Sequence, residues 1–268
     1  MKFFLHGGAR LRRALTHLTF AALLFFTFGA AAQTNGLSEA EVQGQQLVQE
    51  LLEVAPATNV TQQGRLSTED SKRKVTSAQI TFVTVVSGEK WESIYFVDQP
   101  SNDVHVQNRL IIIHQNGQPN KYLLAKDVLN PKDDGYAAAT PEPLNETQIW
   151  APFVGSDFWI ADLGLEFFHW PEQKILKHET KRTRACAVLE STNSNPSPGG
   201  YSRVVTWIDN ESLAIIWAEA YDTNGKLLKV FNPKKVKKVN GQWELEDMEI
   251  RNVQTGSHTW IKFDLSAK

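Results

Sequence analysis

The hydrophobic pattern of the chain first changes period near residue 60. Ahead of that point, Leu37-Ser38-Glu39-Ala40-Glu41 opens a helix: Ser38 offers an N-cap oxygen, and Glu41 three residues on completes a capping box. Val42, Leu47, Leu51 and Val54 fall on one face with Leu52 beside them, and Pro56 ends the run, which predicts about four turns of amphipathic helix. Beyond residue 60 the period drops to two. VTSAQITFVTVVSG and KWESIYFVDQP read as strands joined by a turn at Ser87-Gly88-Glu89; RLIIIHQ and KYLLA form a second pair around NGQPN, where Asn116-Gly117 favours a tight turn.

Residues 126–152 lose both periods and carry Pro131, Pro141, Pro143 and Pro152, the mark of a long loop that is functional or mobile. After Pro171 the strand pattern returns in seven runs: KILKHET, RACAVLEST, YSRVVTWID, LAIIWAEAYD, KLLKVFNPKKVKKV, QWELEDMEIRNV and SHTWIKFDL. The last five are linked by the short turns DNES, TNG, NG and QTG, and links this short force antiparallel neighbours. The expectation is a five-strand meander preceded by a hairpin, with SNPSPGG as the longer connection. Several strands are apolar on both faces. Val205 and Trp207 oppose Val204 and Ile208, and Leu213, Ile215 and Trp217 oppose Ala214, Ile216 and Ala218. A sheet with one wet face alternates more cleanly, so one side is expected to be covered and the other to enclose a core or cavity.

Between the loop and the seven runs lies VGSDFWIADLGLEFFHWPEQKIL, with Phe158, Trp159, Phe167, Phe168 and Trp170 inside thirteen residues. Ile160, Leu163, Phe167 and Trp170 fall on one helical stripe, with Trp159 and Phe168 off it. A short helix capped by Ser156 or Asp157 and ended by Pro171 is predicted.

The first 32 residues read as a targeting segment. Lys2, Arg10, Arg12 and Arg13 precede an apolar run that ends in Ala30-Ala31-Ala32, the small-residue pattern of a cleavage site. That run is shorter than the roughly 20 residues a membrane span needs. Cleavage after Ala32 leaves a single domain over 33–268 and takes the formal charge from −2 to −6, because the segment holds four Lys/Arg and no Asp/Glu. An exported, mildly acidic protein of this kind is not built to coat nucleic acid. Cys186, the one cysteine, sits in an apolar strand run and has no internal disulfide partner, so packing must hold the fold.

Catalytic signatures are missing. There is no GxSxG, HExxH, CxxC or phosphate-binding Gly-rich loop, and His105, His114, His169, His178 and His258 stand at no close metal-ligand spacing. No catalytic residue, metal ligand or cofactor is assigned. Asp133-Asp134 precedes Gly135 and reads as a turn, and the sequons at Asn59, Asn145 and Asn210 have no meaning in a bacterial periplasm. Lys234-Lys235-Val236-Lys237-Lys238 is the clearest charge cluster, either a solvated edge or hairpin end or a contact for anionic headgroups or an acidic partner.

The ordered series GSDFWIADLGLEFFHWPEQKIL, RACAVLES, YSRVVTWIDNESLAIIWAEAYDTNGKLLKVF and VKKVNGQWELEDMEIRNVQTGSHTWIKFDL, from about Phe153 to Leu265, resembles the outer membrane lipoprotein-sorting proteins, relatives of the periplasmic carrier LolA. The resemblance implies a mainly β (α+β) fold: an incomplete, strongly curved antiparallel β-barrel with a few helices packed over its concave side. It implies a non-enzymatic, monomeric carrier that shields acyl chains of lipoproteins or lipids, taking them from an inner-membrane transporter to an outer-membrane acceptor with transient membrane-surface contact. Phe158, Trp159, Ile160, Leu163, Phe167, Phe168, Trp170, Trp207 and Trp217 are then candidates to line the cavity or its lid, and Lys234, Lys235, Lys237 and Lys238 to touch headgroups or partners. Two alternatives stay open: a sensor or structural module of the same fold in envelope stress, and an envelope hydrolase with His169, Asp157 and Asp162 as first suspects.

Overall fold

The computed structural model describes residues 36–100, 105–129, 136–137, 139–239 and 242–265. The targeting segment and Asp133-Asp134 lie outside these residues. Helix α1 (Glu39–Glu53) precedes β1 (Val60–Glu69), β2 (Val75–Ser87), β3 (Lys90–Pro100), β4 (His105–Gln115) and β5 (Lys121–Leu129). Two-residue strands β6 (Tyr136–Ala137) and β7 (Glu142–Pro143) border β5. After helix α2 (Ile160–Gly164) come β8 (Glu172–Lys181), β9 (Arg184–Thr192), β10 (Arg203–Asp209), β11 (Ile215–Tyr221), β12 (Leu227–Val239), β13 (Gln242–Asn252) and β14 (His258–Phe263).

All strands join one antiparallel sheet in the order β6-β5-β4-β3-β2-β1-β14-β13-β12-β11-β10-β9-β8, unclosed and strongly curved. The SNPSPGG connection does not interrupt the meander, since β9 pairs directly with β10; the expected hairpin and five strands are one seven-strand meander. It meets the first meander where β1 pairs β14, from Gly64↔Phe263 to Glu69↔His258. A single apolar cluster takes Leu66, Phe82, Tyr95 and Ile112 from the first half and Leu189, Val204, Met248 and Ile261 from the second. Only a sheet bent around its own interior brings these side chains together.

Both apolar faces are used, as the strand pattern implied. Val204 and Ile208 point into the main cluster, while Val205 and Trp207 join Cys186 and Val188 in a smaller one on the outer face. Burial raises the Cys186 thiol's pKa, which suits a packing role rather than a nucleophile. Strict alternation fails in β11. Pairing with β10 shifts between Trp207↔Trp217 and Ile208↔Ile215, so Ile215 faces inward whereas Ile216 and Trp217 both pack outside. Among the sequon residues, Asn59 Oδ1 accepts from the Val86 N–H of β2 (2.8 Å), a contact between strands, and Asn145 Oδ1 accepts from the Thr147 and Gln148 N–H groups at 3.0 Å each, a local turn role.

The capping box forms: the Ser38 N–H donates to Glu41 (2.7 Å) and the Glu41 N–H donates to the Ser38 hydroxyl (3.4 Å). The buried face keeps part of the expected stripe, Leu51 with Leu47 and Leu52 packed against the core, but is rotated toward other positions. Gly44, Val48 and Leu51 are buried, and Val42 is 39% exposed. The cause is close docking of α1 on β8: a Cβ on Gly44 would lie 2.6 Å from the Gln173 and Lys174 backbone. Ala is the better helix former by about 1 kcal/mol, yet here it must displace backbone. Gly44→Ala is therefore expected to destabilise the protein by about 1–3 kcal/mol in denaturant titration, the cost of overpacking. Among the described residues no helix is long and apolar enough to cross a membrane.

Candidate functional site

The segment between β7 and β8 fills the hollow of the sheet. It starts with a 3₁₀ turn, Gln148–Trp150, and a second over Phe153–Gly155, where Val154 (φ 47°) adopts left-handed geometry. The predicted single helix is broken into two pieces. α2 lasts only to Gly164, Leu165 sits at φ 54°, ψ 44°, and a 3₁₀ turn follows over Glu166–His169. Ser156 and Asp157 do not cap α2. Asp162 reaches back to accept from the Trp159 N–H at 2.8 Å, while Ser156 bonds Phe158 and Asp157 bonds β14. The break replaces the single stripe with a two-sided plug. Phe158, Ile160, Leu163, Phe167, Phe168 and Trp170 are all buried in the main cluster, and half-buried Trp159 packs against it.

After Leu144, whose N–H donates to Tyr122 O of β5 (2.9 Å), the backbone-to-backbone hydrogen bonds of this segment close on itself, as in Phe153 N–H to Phe158 O (2.8 Å) and Ile160 N–H to Ala151 O (3.1 Å). Its ties to the strands run through side chains. At the start of β14, the hydroxyls of Ser257, one residue ahead of the strand, and of Thr259 donate to Asp157 at 2.6 and 2.9 Å. Beside β5, Asn120 donates to Gly164 O (2.9 Å) and Tyr122 to Glu166 (2.7 Å). A Cβ on Gly164 would lie 2.0 Å from the Tyr122 hydroxyl, so only glycine admits this contact. On β8, Gln173 donates to Phe167 O and Trp170 O at 3.0 and 2.9 Å. Burial raises the Glu166 carboxyl's pKa, against the opposing bonds from Tyr122 and Asn120, and burial lifts Tyr122 well above its ordinary value.

A fourth tie is the most buried. Lys229 of β12, 1% exposed, places its ammonium 3.3 Å from Asp162 and 3.4 Å from the centre of the Trp159 ring. The Tyr201 hydroxyl donates to both Asp162 oxygens, at 2.9 and 3.1 Å, and its ring stacks on Trp159 at 4.5 Å. Burial lowers the Lys229 pKa to about 8 despite Asp162's charge, and burial beside that carboxylate raises Tyr201 well above the usual phenol range. Asp157 and Asp162, the hydrolase suspects of the sequence, instead hold structural partners from β14 and the turn before it, β12 and the β9–β10 loop. Lys229 was missed, and its one signal is a lysine inside the apolar run LLKVF.

Open space borders the plug. A cavity of about 330 Å³ lies between α1, the β4–β5 turn, α2 and the β10–β11 turn, walled by Leu51, Trp91, His114, Leu163, Phe168 and Ile215 among others. A neighbouring groove of about 630 Å³ runs along α1 past Val48, Leu52 and Trp170. Ligand pockets typically measure about 300–1,000 Å³. On the first cavity's wall, His114 bridges Asn120 (2.8 Å) and Ser93 (3.1 Å), a triad-like chain. Ser93 is 1% exposed and lies off the wall, so the cavity gives this hydroxyl no access to a substrate. Asp157, Asp162 and His169 are likewise not brought to one polar cleft. Among the described residues no three His, Cys, Asp or Glu are grouped to hold a metal ion.

Three solved structures share this architecture. A DUF1329 family protein from Desulfovibrio piger superposes with a TM-score of 0.65 at 18% identity, over 85% of this chain and 92% of that one. A domain assigned as an outer membrane lipoprotein-sorting protein from Vibrio parahaemolyticus gives 0.64 at 19%, over 84% and 91%. A LolA superfamily protein from Nitrosomonas europaea gives 0.53 at 14%, over 85% and 92%. The chain has the LolA-like fold. Residues 138–266 match a protein family described as an uncharacterized protein, and no curated protein matches the chain in sequence.

Within the LolA-like fold the candidate residues separate into three places. Phe158, Trp159, Ile160, Leu163, Phe167, Phe168 and Trp170 gather on the concave side; of these, Leu163 and Phe168 line the 330 Å³ cavity. Trp207 and Trp217 lie on the opposite face, where Lys181 caps both rings at 4.5 and 4.7 Å, and cannot belong to the same site. The lysines lie on β12 beyond Phe231, the last residue paired with β11, where β13 flanks only one side. Lys234 pairs with Glu249, Lys235 with Glu246 (2.8 Å), and Lys237 donates to Leu265 O. The Lys238 side chain is outside the described part.

Proposed function

We propose that the protein is a periplasmic carrier that holds acyl chains of lipoproteins or lipids on the concave side of its sheet and acts by binding, without catalysis. One observation carries the reading: the apolar hollow is closed by residues 153–170, tied to the strands through side chains rather than by a backbone ladder. Such ties exchange for water one at a time at a net cost of about 1 kcal/mol each. An acyl chain offers about 0.8 kcal/mol per CH₂ removed from water, which offsets these ties and the apolar surface the plug gives up where the chain takes its place. The names of the lipoprotein-sorting and LolA superfamily neighbours agree with this reading at the level of fold.

Native mass spectrometry of the protein purified from an envelope fraction is expected to show adducts with the mass of acyl lipids, lost on delipidation and regained with fatty acid. A protein that carries no lipid and takes none up would refute the carrier. Export makes a second prediction. Intact mass and N-terminal sequencing of the envelope form should place the first residue at Gln33; a chain beginning at Met1 would contradict cleavage.

A further inference from the structure

The cluster around Lys229 has a division of labour that the carrier reading leaves unused. Lys229 belongs to β12, and Tyr201 sits in the β9–β10 loop beside Ser202, whose backbone bonds Asn193 and Tyr221, so both stay with the sheet. Asp162 and Trp159 belong to the plug. If the plug lifts, the carboxylate leaves with it, and the sheet keeps an ammonium and a phenol O–H, two donors already aimed at one carboxylate position. Around them the floor is apolar: Val204, Ala218, Ala220, Phe231 and Ile250 surround a residual gap of about 30 Å³ under the plug.

We propose that Lys229 and Tyr201 form an anchor for the carboxylate of a long-chain fatty acid, for which Asp162 is the built-in stand-in when the site is empty. The inference rests on the carrier reading and names its ligand class. Exchange of one carboxylate for another keeps the buried charge balanced, whereas an empty open site would strand an ammonium in an apolar hollow. Displaced Asp162 moves into water. The tail then decides the exchange, because Asp162 has none. A single ammonium in the cluster matches a monoanion better than a phosphate monoester carrying close to two charges.

The test compares palmitate with methyl palmitate, the same chain without the charge, titrated into the full-length mature protein below micelle-forming concentrations. Wild type is expected to prefer palmitate by about tenfold or more, as befits a charge-assisted hydrogen bond. Lys229→Met should erase the preference, and Asp162→Asn should strengthen palmitate binding several-fold by removing the internal competitor. Thermal melts confirm that each variant is folded, and Asp162→Asn keeps the test decisive if Lys229→Met is not. Equal binding of the two ligands by wild type, or a preference that survives in Lys229→Met, overturns the anchor while leaving the carrier intact. Binding of neither overturns both.

Discussion

Replacing Asp162 with Asn is expected to cost about 3 kcal/mol of stability at pH 6, the lower end of the penalty for stranding a buried charge. Asn keeps one oxygen, at the position that accepts from the Trp159 N–H and, at 3.1 Å, from the Tyr201 hydroxyl, while its amide NH₂ replaces the oxygen 2.9 Å from that hydroxyl, so most of the loss reports the missing charge opposite Lys229. The penalty should shrink as pH rises. Lys229 in the folded protein releases its proton near pH 8, and a neutral amine needs no counter-charge. The linkage in wild type has a definite sign. The folded pKa is depressed from 10.5 to about 8, so between those values the unfolded chain holds the proton that the folded chain has lost. Stability contributed by this group is therefore flat below pH 8 and rises with pH above it, by up to roughly 3 kcal/mol at 1.36 kcal/mol per pKa unit. Denaturant titrations of wild type and Lys229→Met from pH 6 to 10 should differ in this slope. The double variant Asp162→Asn/Lys229→Met should recover most of the single-variant loss, since the two side chains act as a unit.

The second large effect is at Phe158. Its ring is 1% exposed in the main cluster, and Phe158→Ala is expected to lower stability by about 3–5 kcal/mol through lost burial and the cavity left behind. The same change enlarges the hollow on the acyl-binding side, so the fraction that stays folded should take up more acyl chain than wild type. Trp207→Ala provides the contrast. It removes an outer-face ring whose Nε1 donates to Glu179 and whose face meets Lys181, and uptake should be unchanged. Equal uptake in the two variants would show that the concave and convex aromatics do not differ in role.

The strand framework was legible because β-branched and aromatic residues alternate through 75–97 and 172–263, and because short turns such as Asn116-Gly117 and the TNG link leave antiparallel pairing as the one solution. The resemblance of the 153–265 series supplied the curvature. The site was less legible, for local and long-range reasons. A bulge in β11 moved Trp217 to the face opposite Ile215, and nothing in LAIIWAEAY marks an extra residue. Leu165 takes the left-handed conformation while Gly164 beside it stays helical, so a helical stripe across Ile160, Leu163, Phe167 and Trp170 was the natural reading. Gly44 reads as a weak point in a helix until β8 is seen beneath it. Asp162 and Lys229, 67 residues apart, meet only because β12 passes under the plug. Burial of a lysine is decided by that topology and leaves almost no trace in its neighbours.

Amide hydrogen exchange across residues 150–170, measured with and without saturating palmitate, tests the opening of the plug most directly. Ligand is predicted to speed exchange at Ile160, Leu163 and Phe168 on the order of tenfold or more, while β10 to β13 keep their protection. Tight palmitate binding with undiminished protection through 150–170 would contradict it.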